Sequence, residues 1–65
     1  MYLLIKETFI IDNSETELYG ISDGAGLMII FTEDPVEAKS FVGICNENAV
    51  ESNHIADIIE DRYYT

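Results

Sequence analysis

Tryptophan is absent, and cysteine, proline and histidine occur once each. A single cysteine, Cys45, excludes any internal disulfide, and a small chain without disulfides suits a reducing cytoplasm. The single histidine, His54, would need a neighbouring nucleophile for catalysis, and no nucleophile motif surrounds Ser14, Ser22, Ser40, Ser52 or Cys45. Cationic side chains are equally scarce: Lys6, Lys39 and Arg62 stand against thirteen acidic residues. Nucleic acid and anionic membrane both need Lys and Arg to meet phosphate, so both are poor partners for this chain. No apolar run is long enough to span a bilayer. Tyr2-Leu3-Leu4-Ile5 lacks the basic start of a signal peptide and is interrupted by Lys6 and Glu7.

What is present is apolar content of 48%, too high for a disordered chain even at a formal charge of −10. The 65 residues read as one domain, 1–65, close to the size below which a chain needs disulfides, metals or a partner to fold. Ten net negative charges on so small a body repel one another, which stability alone does not favour. A basic partner is the natural complement.

One stretch organises the chain. Leu27-Met28-Ile29-Ile30-Phe31 is a short β-branched and aromatic run, which predicts an inner strand. Thr32-Glu33 turns, Asp34 stands at an N-cap position, Pro35 follows at the first helical position, and Glu37 completes a D-x-x-E capping box. Ala38, Phe41, Val42, Cys45 and Ala49 then recur at helical spacing, an apolar stripe that must lie on the sheet. Asn46-Glu47-Asn48 supplies stop signals. Gly43 inside this helix either permits close approach to a strand or is a tolerated weak point. Cys45 reads as a buried small hydrophobe on the stripe.

Before this unit, Tyr2 to Ile11 predicts a first strand, with Leu3, Ile5, Phe9 and Ile11 on one face and Tyr2, Leu4 and Ile10 on the other. Lys6 and Glu7 sit mid-strand on opposite faces and blur the register. Asp12-Asn13-Ser14-Glu15 is a turn cluster, Leu18 to Ile21 a shorter strand, and Asp23-Gly24-Ala25-Gly26 a hairpin loop whose glycines supply positive φ. After the main helix comes the polar stretch Glu51-Ser52-Asn53-His54. Ile55, Ile58, Ile59, Arg62 and Tyr63 then fit a helical stripe, while Ala56, Ile58 and Glu60 with Tyr63-Tyr64 also allow a fourth strand over residues 55–64. The expected fold is therefore α+β: a small three-stranded antiparallel meander, or four strands, packed by a central helix, with a C-terminal helix or strand.

No cofactor-binding motif appears. Gly24-Ala25-Gly26 leads into a strand and lacks the lysine of a phosphate loop. Asp57, Glu60 and Asp61 fall at i, i+3 and i+4, which on a helix gathers three carboxylates. They can form a solvated face, imitate a row of phosphates, or hold a hard cation, though the central glycine of a calcium loop is missing. Glu33, Asp34 and Glu37 are explained by the helix dipole, whereas Asp12, Glu15, Glu17, Glu47 and Glu51 are expected to load the loops with the same sign.

In size and charge the chain resembles the very small acidic proteins that bacteriophages and other mobile elements make to block host nucleic-acid enzymes. These include DNA mimics, anti-restriction and anti-CRISPR factors, uracil-DNA glycosylase inhibitors and polymerase inhibitors. The resemblance is one of composition across the whole chain, not of any motif. It implies a non-catalytic protein that covers the basic, nucleic-acid-binding surface of a host enzyme, with Asp57, Glu60, Asp61, Glu47 and Glu51 as the contacting residues. The alternative is a structural or regulatory oligomerisation module whose acidity serves solubility. A three-stranded sheet also has a second face, expected to carry Tyr2, Leu4, Ile10, Met28 and Ile30. With one helix to cover the first face, the second would meet either the C-terminal segment or a second copy, as a homodimer centred on Met28 and Ile30 with Leu4 and Tyr2 beside them.

Overall fold

The structure, a computed structural model, describes residues 1–63. It is an α+β fold in which three antiparallel strands, β1 (Leu3–Ile11), β2 (Ser14–Ser22) and β3 (Met28–Thr32), pack against two helices, α1 (Pro35–Glu47) and α2 (Ser52–Tyr63). The strand order β1-β2-β3 is the expected meander. The C-terminal segment is a helix from Ser52 to Tyr63, so the fourth-strand alternative falls for these residues. Its stripe brings Ile55, Ile58 and Ile59 to the core side, whereas a strand's two-residue period would put Ile58 and Ile59 on opposite faces. Tyr64 lies outside the described residues.

The turn between β1 and β2 is shorter than the polar cluster suggests. Only Asp12 (φ 52°) and Asn13 (φ 67°) form it, a two-residue loop with both residues left-handed, as a type I′ hairpin requires. Ser14 and Glu15 already pair with Ile11 and Ile10, so β2 is nine residues long where the sequence suggests four. Its polar first half is held in strand form by pairing with β1. Only Tyr19 to Ser22 find partners on β3, so the outer part of the hairpin is a two-stranded arm extending past the rest of the sheet. The extents of 39 × 26 × 21 Å reflect that arm.

Residues directly opposite in an antiparallel ladder share a face. Ile21 faces Leu4 on one side and Ile29 on the other, and it is fully buried beneath the helices. Leu4, and by alternation Tyr2 and Ile10, therefore belong to the helix-covered side, together with Ile29 and Phe31. Met28 and Ile30 do lie on the open side, but their β1 neighbours there are Leu3, Ile5, Phe9 and Ile11. The expected parity of β1 is thus reversed. Both sides of β1 are apolar, so its own pattern cannot choose between them.

Tyr2 is the clearest case, being 8% exposed and part of the core. Its backbone N–H donates to Asn46 Oδ1 at 2.7 Å, Asn46 Nδ2 donates back to its carbonyl at 3.1 Å, and its hydroxyl donates to the Val50 carbonyl. The side-chain amide of α1 substitutes for a strand partner and ties the N-terminus to the helix end.

A bulge separates Tyr19, opposite Thr32, from Gly20, opposite Ile30, and leaves Phe31 as the extra residue on β3. Phe31 turns into an aromatic cluster with Phe41 and Tyr63, at centroid distances of 5.2 and 4.8 Å. A Cβ on Gly20 would stand 2.0 Å from the Ile29 carbonyl oxygen, so glycine alone permits this approach. Gly43 faces open space, which makes it the tolerated weak point.

Asp34 caps α1 as expected, its Oδ1 accepting from the N–H groups of Val36 at 2.9 Å and Glu37 at 3.4 Å. Glu37 does not close the box; its Oε1 instead accepts from the Tyr63 hydroxyl at 2.8 Å, linking α1 to the last turn of α2. Burial first, and the Glu37 carboxylate second, push the Tyr63 phenol up to about 12. At the other end Val50 N–H reaches the Cys45 carbonyl and Ala49 N–H that of Asn46, the paired bonds of a Schellman motif. Ala49 is therefore outside the stripe, exposed and left-handed at φ 48°. Ala49→Gly is expected to stabilise the fold by about 0.5–1 kcal/mol, since a Cβ there is strained, and to raise the melting temperature by a few degrees. Thermal circular dichroism checks it; a lower midpoint would mean that no strain resides at Ala49.

Candidate acidic binding surface

The thirteen carboxylates divide by whether the fold uses them. Asp34 and Glu37 serve the helix contacts above, Asp12 forms the hairpin turn, and Glu17 Oε2 accepts from the Tyr19 hydroxyl at 3.1 Å, raising that phenol's pKa.

Asp23 is the most heavily used. Its Oδ1 accepts from the N–H groups of Ala25 (2.8 Å), Gly26 (3.0 Å) and Leu27 (2.9 Å), and its Oδ2 accepts from Ser52 Oγ at 3.1 Å. One carboxylate thus shapes the β2–β3 loop, with Gly24 at φ 77°, and fastens it to the first residue of α2. The three backbone donors, assisted by Ser52, hold its pKa well below the ordinary 3.8. The folded value is depressed, so the stabilisation is complete above the unfolded value and is lost as pH falls below it. Relative to Asp23→Asn, the native chain should lose stability as pH drops from about 5 to 2. Urea midpoints measured across that range give the difference, and parallel curves would remove Asp23 as the cause.

The five carboxylates expected to make contacts are all exposed. At 100° per residue, Asp57 and Asp61 project from α2 opposite the Ile55–Ile59 stripe, with Glu60 beside them. Glu47 occupies the last turn of α1 and Glu51 immediately precedes α2, so these two flank the connection between the helices while the other three lie further along α2. The structure brings Asp57, Glu60 and Asp61 together and places Glu47 and Glu51 toward the start of the same helix. Among the described residues, no hydrogen bond or ion pair within the protein holds the side chains of Glu47, Glu51, Asp57 or Glu60.

Other candidate groups do not converge. Cys45 is buried in the core, where desolvation raises its thiol pKa, whereas His54 is exposed in the first turn of α2. Arg62 lies 6.0 Å from the centroids of both the Phe41 and Tyr63 rings, so its cation rests over the aromatic cluster. Among the described residues no group of three or more His, Cys, Asp or Glu is arranged to hold a metal ion. No helix there is long and apolar enough to cross a membrane.

Sequence reasoning missed the anchoring role of Asp23, although an Asp before Gly-Ala-Gly is a known signal for side-chain capping of a loop. It also missed the extent of the open sheet face, where Leu3, Phe9, Ile11 and Met28 are 53, 41, 50 and 61% exposed. Compared with protein-family models, curated proteins and solved structures, the chain matches none.

Proposed function

We propose that this chain is a non-catalytic acidic binding protein that occludes a basic surface of a partner, namely the nucleic-acid groove of a host enzyme in the bacterial cytoplasm, in the manner of a phage-type inhibitor. The observation that carries the reading is the outer side of α2, where Asp57, Glu60 and Asp61 face solvent in a chain of net charge −10. Three carboxylates along the roughly 6 Å of helix axis from Asp57 to Asp61 approach the charge density of one DNA strand, about one phosphate per 3.4 Å. Glu51 and Glu47 extend the negative surface toward the start of the helix. Such a surface steers a cationic groove toward it and repels nucleic acid itself.

The test is capture from a bacterial lysate on the immobilised chain. Basic nucleic-acid-binding proteins should be retained at about 50 mM salt and released by about 500 mM, because screening shortens the reach of exposed charges to a few ångströms. Retention that ignores salt would remove electrostatics as the driving force. A second reading, a structural or regulatory oligomerisation module with acidity for solubility, is favoured by the open apolar sheet face; under it, no basic protein is retained at either salt.

A further inference from the structure

We infer that a second copy of this chain covers the open face of the sheet, forming a two-fold dimer by sheet-on-sheet packing. The helices lie on one side only, and the other side carries Leu3, Phe9, Ile11 and Met28, each between 41 and 61% exposed, around the half-buried Leu18 and Ile30. At the 150–250 Å² typical of a large side chain, those four alone expose roughly 400 Å². With the remaining positions the face approaches the area of about 800 Å² per partner that a specific interface buries.

Charge selects the occupant. Glu7 is the only charged residue among the strand positions on this face, so twelve of the thirteen acids lie elsewhere. Two bodies of charge −10 can meet here with almost all their carboxylates pointing away, whereas an anionic lipid surface gains nothing from contact. The hairpin arm supplies a second reason. A two-stranded ribbon is at best marginally stable in water unless something packs on it, and the outer part of β1 and β2 has no third strand beside it. With strands of the two sheets running antiparallel, Phe9 and Ile11 of one copy lie over Leu3 and Met28 of the other, and Glu7, on the edge strand β1, stands at the rim of the contact.

Edge-to-edge pairing through β1 is disfavoured by its own residues. The antiparallel register that overlaps all nine residues sets Glu7 against its counterpart; a shift one way sets Lys6 against Lys6, and a shift the other way, centred on Thr8, pairs fewer residues. Tyr2 and Leu4, on the helix side, take no part in the contact; Met28 and Ile30 remain in it.

Sedimentation equilibrium across micromolar concentrations is the test, and it is independent of any partner for the acidic surface. A species of twice 7.3 kDa is expected, and it should tighten as salt rises from about 50 to 500 mM because screening relieves the repulsion. Met28→Glu and Phe9→Glu should weaken it by about tenfold or more, while Val36→Glu, which adds the same charge on the exposed side of α1, should have a far smaller effect. Should either face variant fail to fold, isotope-filtered NOEs in the unaltered chain decide, with Phe9 ring to Met28 methyl contacts expected between copies. A single mass of 7.3 kDa throughout, a dimer that both folded variants leave intact, or absence of those NOEs overturns the proposal.

Discussion

Gly20→Ala should abolish the cooperative fold at room temperature. The new methyl would sit 2.0 Å from the Ile29 oxygen and 2.7 Å from the Ile30 Cα, all backbone atoms that cannot rotate away. β3 would have to retreat from β2, and with it Phe31, whose ring holds the contact between the sheet, Phe41 and Tyr63. Loss of that bulge is expected to cost at least about 3 kcal/mol, which is most of the 3–5 kcal/mol that a single core of this size supplies. Far-UV circular dichroism and a urea titration read the outcome. A native spectrum with a urea midpoint close to that of the parent would show that β3 is not bound as described.

Replacing Asp57, Glu60 and Asp61 together by Asn, Gln and Asn should slow association with the captured basic partner by about tenfold while leaving dissociation nearly unchanged. The direction follows from exposure, since rim charges act on the diffusional encounter more than on the docked state. The fold should be retained, because the buried Ile55 and Ile59 are untouched. Stopped-flow or surface-based kinetics at low salt separates the two rates. An unchanged association rate would move the contact to other carboxylates.

How much of this was legible in the sequence depends on whether the determinants are local. The strand–turn–helix unit from Met28 to Glu47 could be read because an N-cap aspartate, a first-turn proline and a 3.6-residue stripe all act within a few residues of one another. The C-terminal helix could be read for the same reason, from the spacing of Ile55, Ile58, Ile59 and Tyr63. The parity of β1 could not, because apolar residues occupy both its faces and the choice is made by Ile21 on the neighbouring strand. The first half of β2 looks like a loop in its letters, Ser-Glu-Thr-Glu, and becomes strand only through its ladder to β1. Tyr2 is buried by partners 44 and 48 residues away, and Glu37 leaves its expected cap for Tyr63, 26 residues on. Ala49 adopts a left-handed conformation that its side chain disfavours, which no propensity signals. Of the acidic surface, the grouping of Asp57, Glu60 and Asp61 followed once the helix was assigned, whereas the place of Glu51 relative to Glu47, at the end of α1, follows from the Schellman turn.

Occlusion has a direct signature in competition. With a captured basic enzyme bound to a labelled DNA or RNA duplex at low salt, titration of the chain should displace the duplex fully, with each increment of nucleic acid raising the apparent dissociation constant of the chain in proportion. Fluorescence anisotropy of the duplex follows this. A ternary complex, in which enzyme, nucleic acid and chain persist together at saturation, would contradict occupation of the groove.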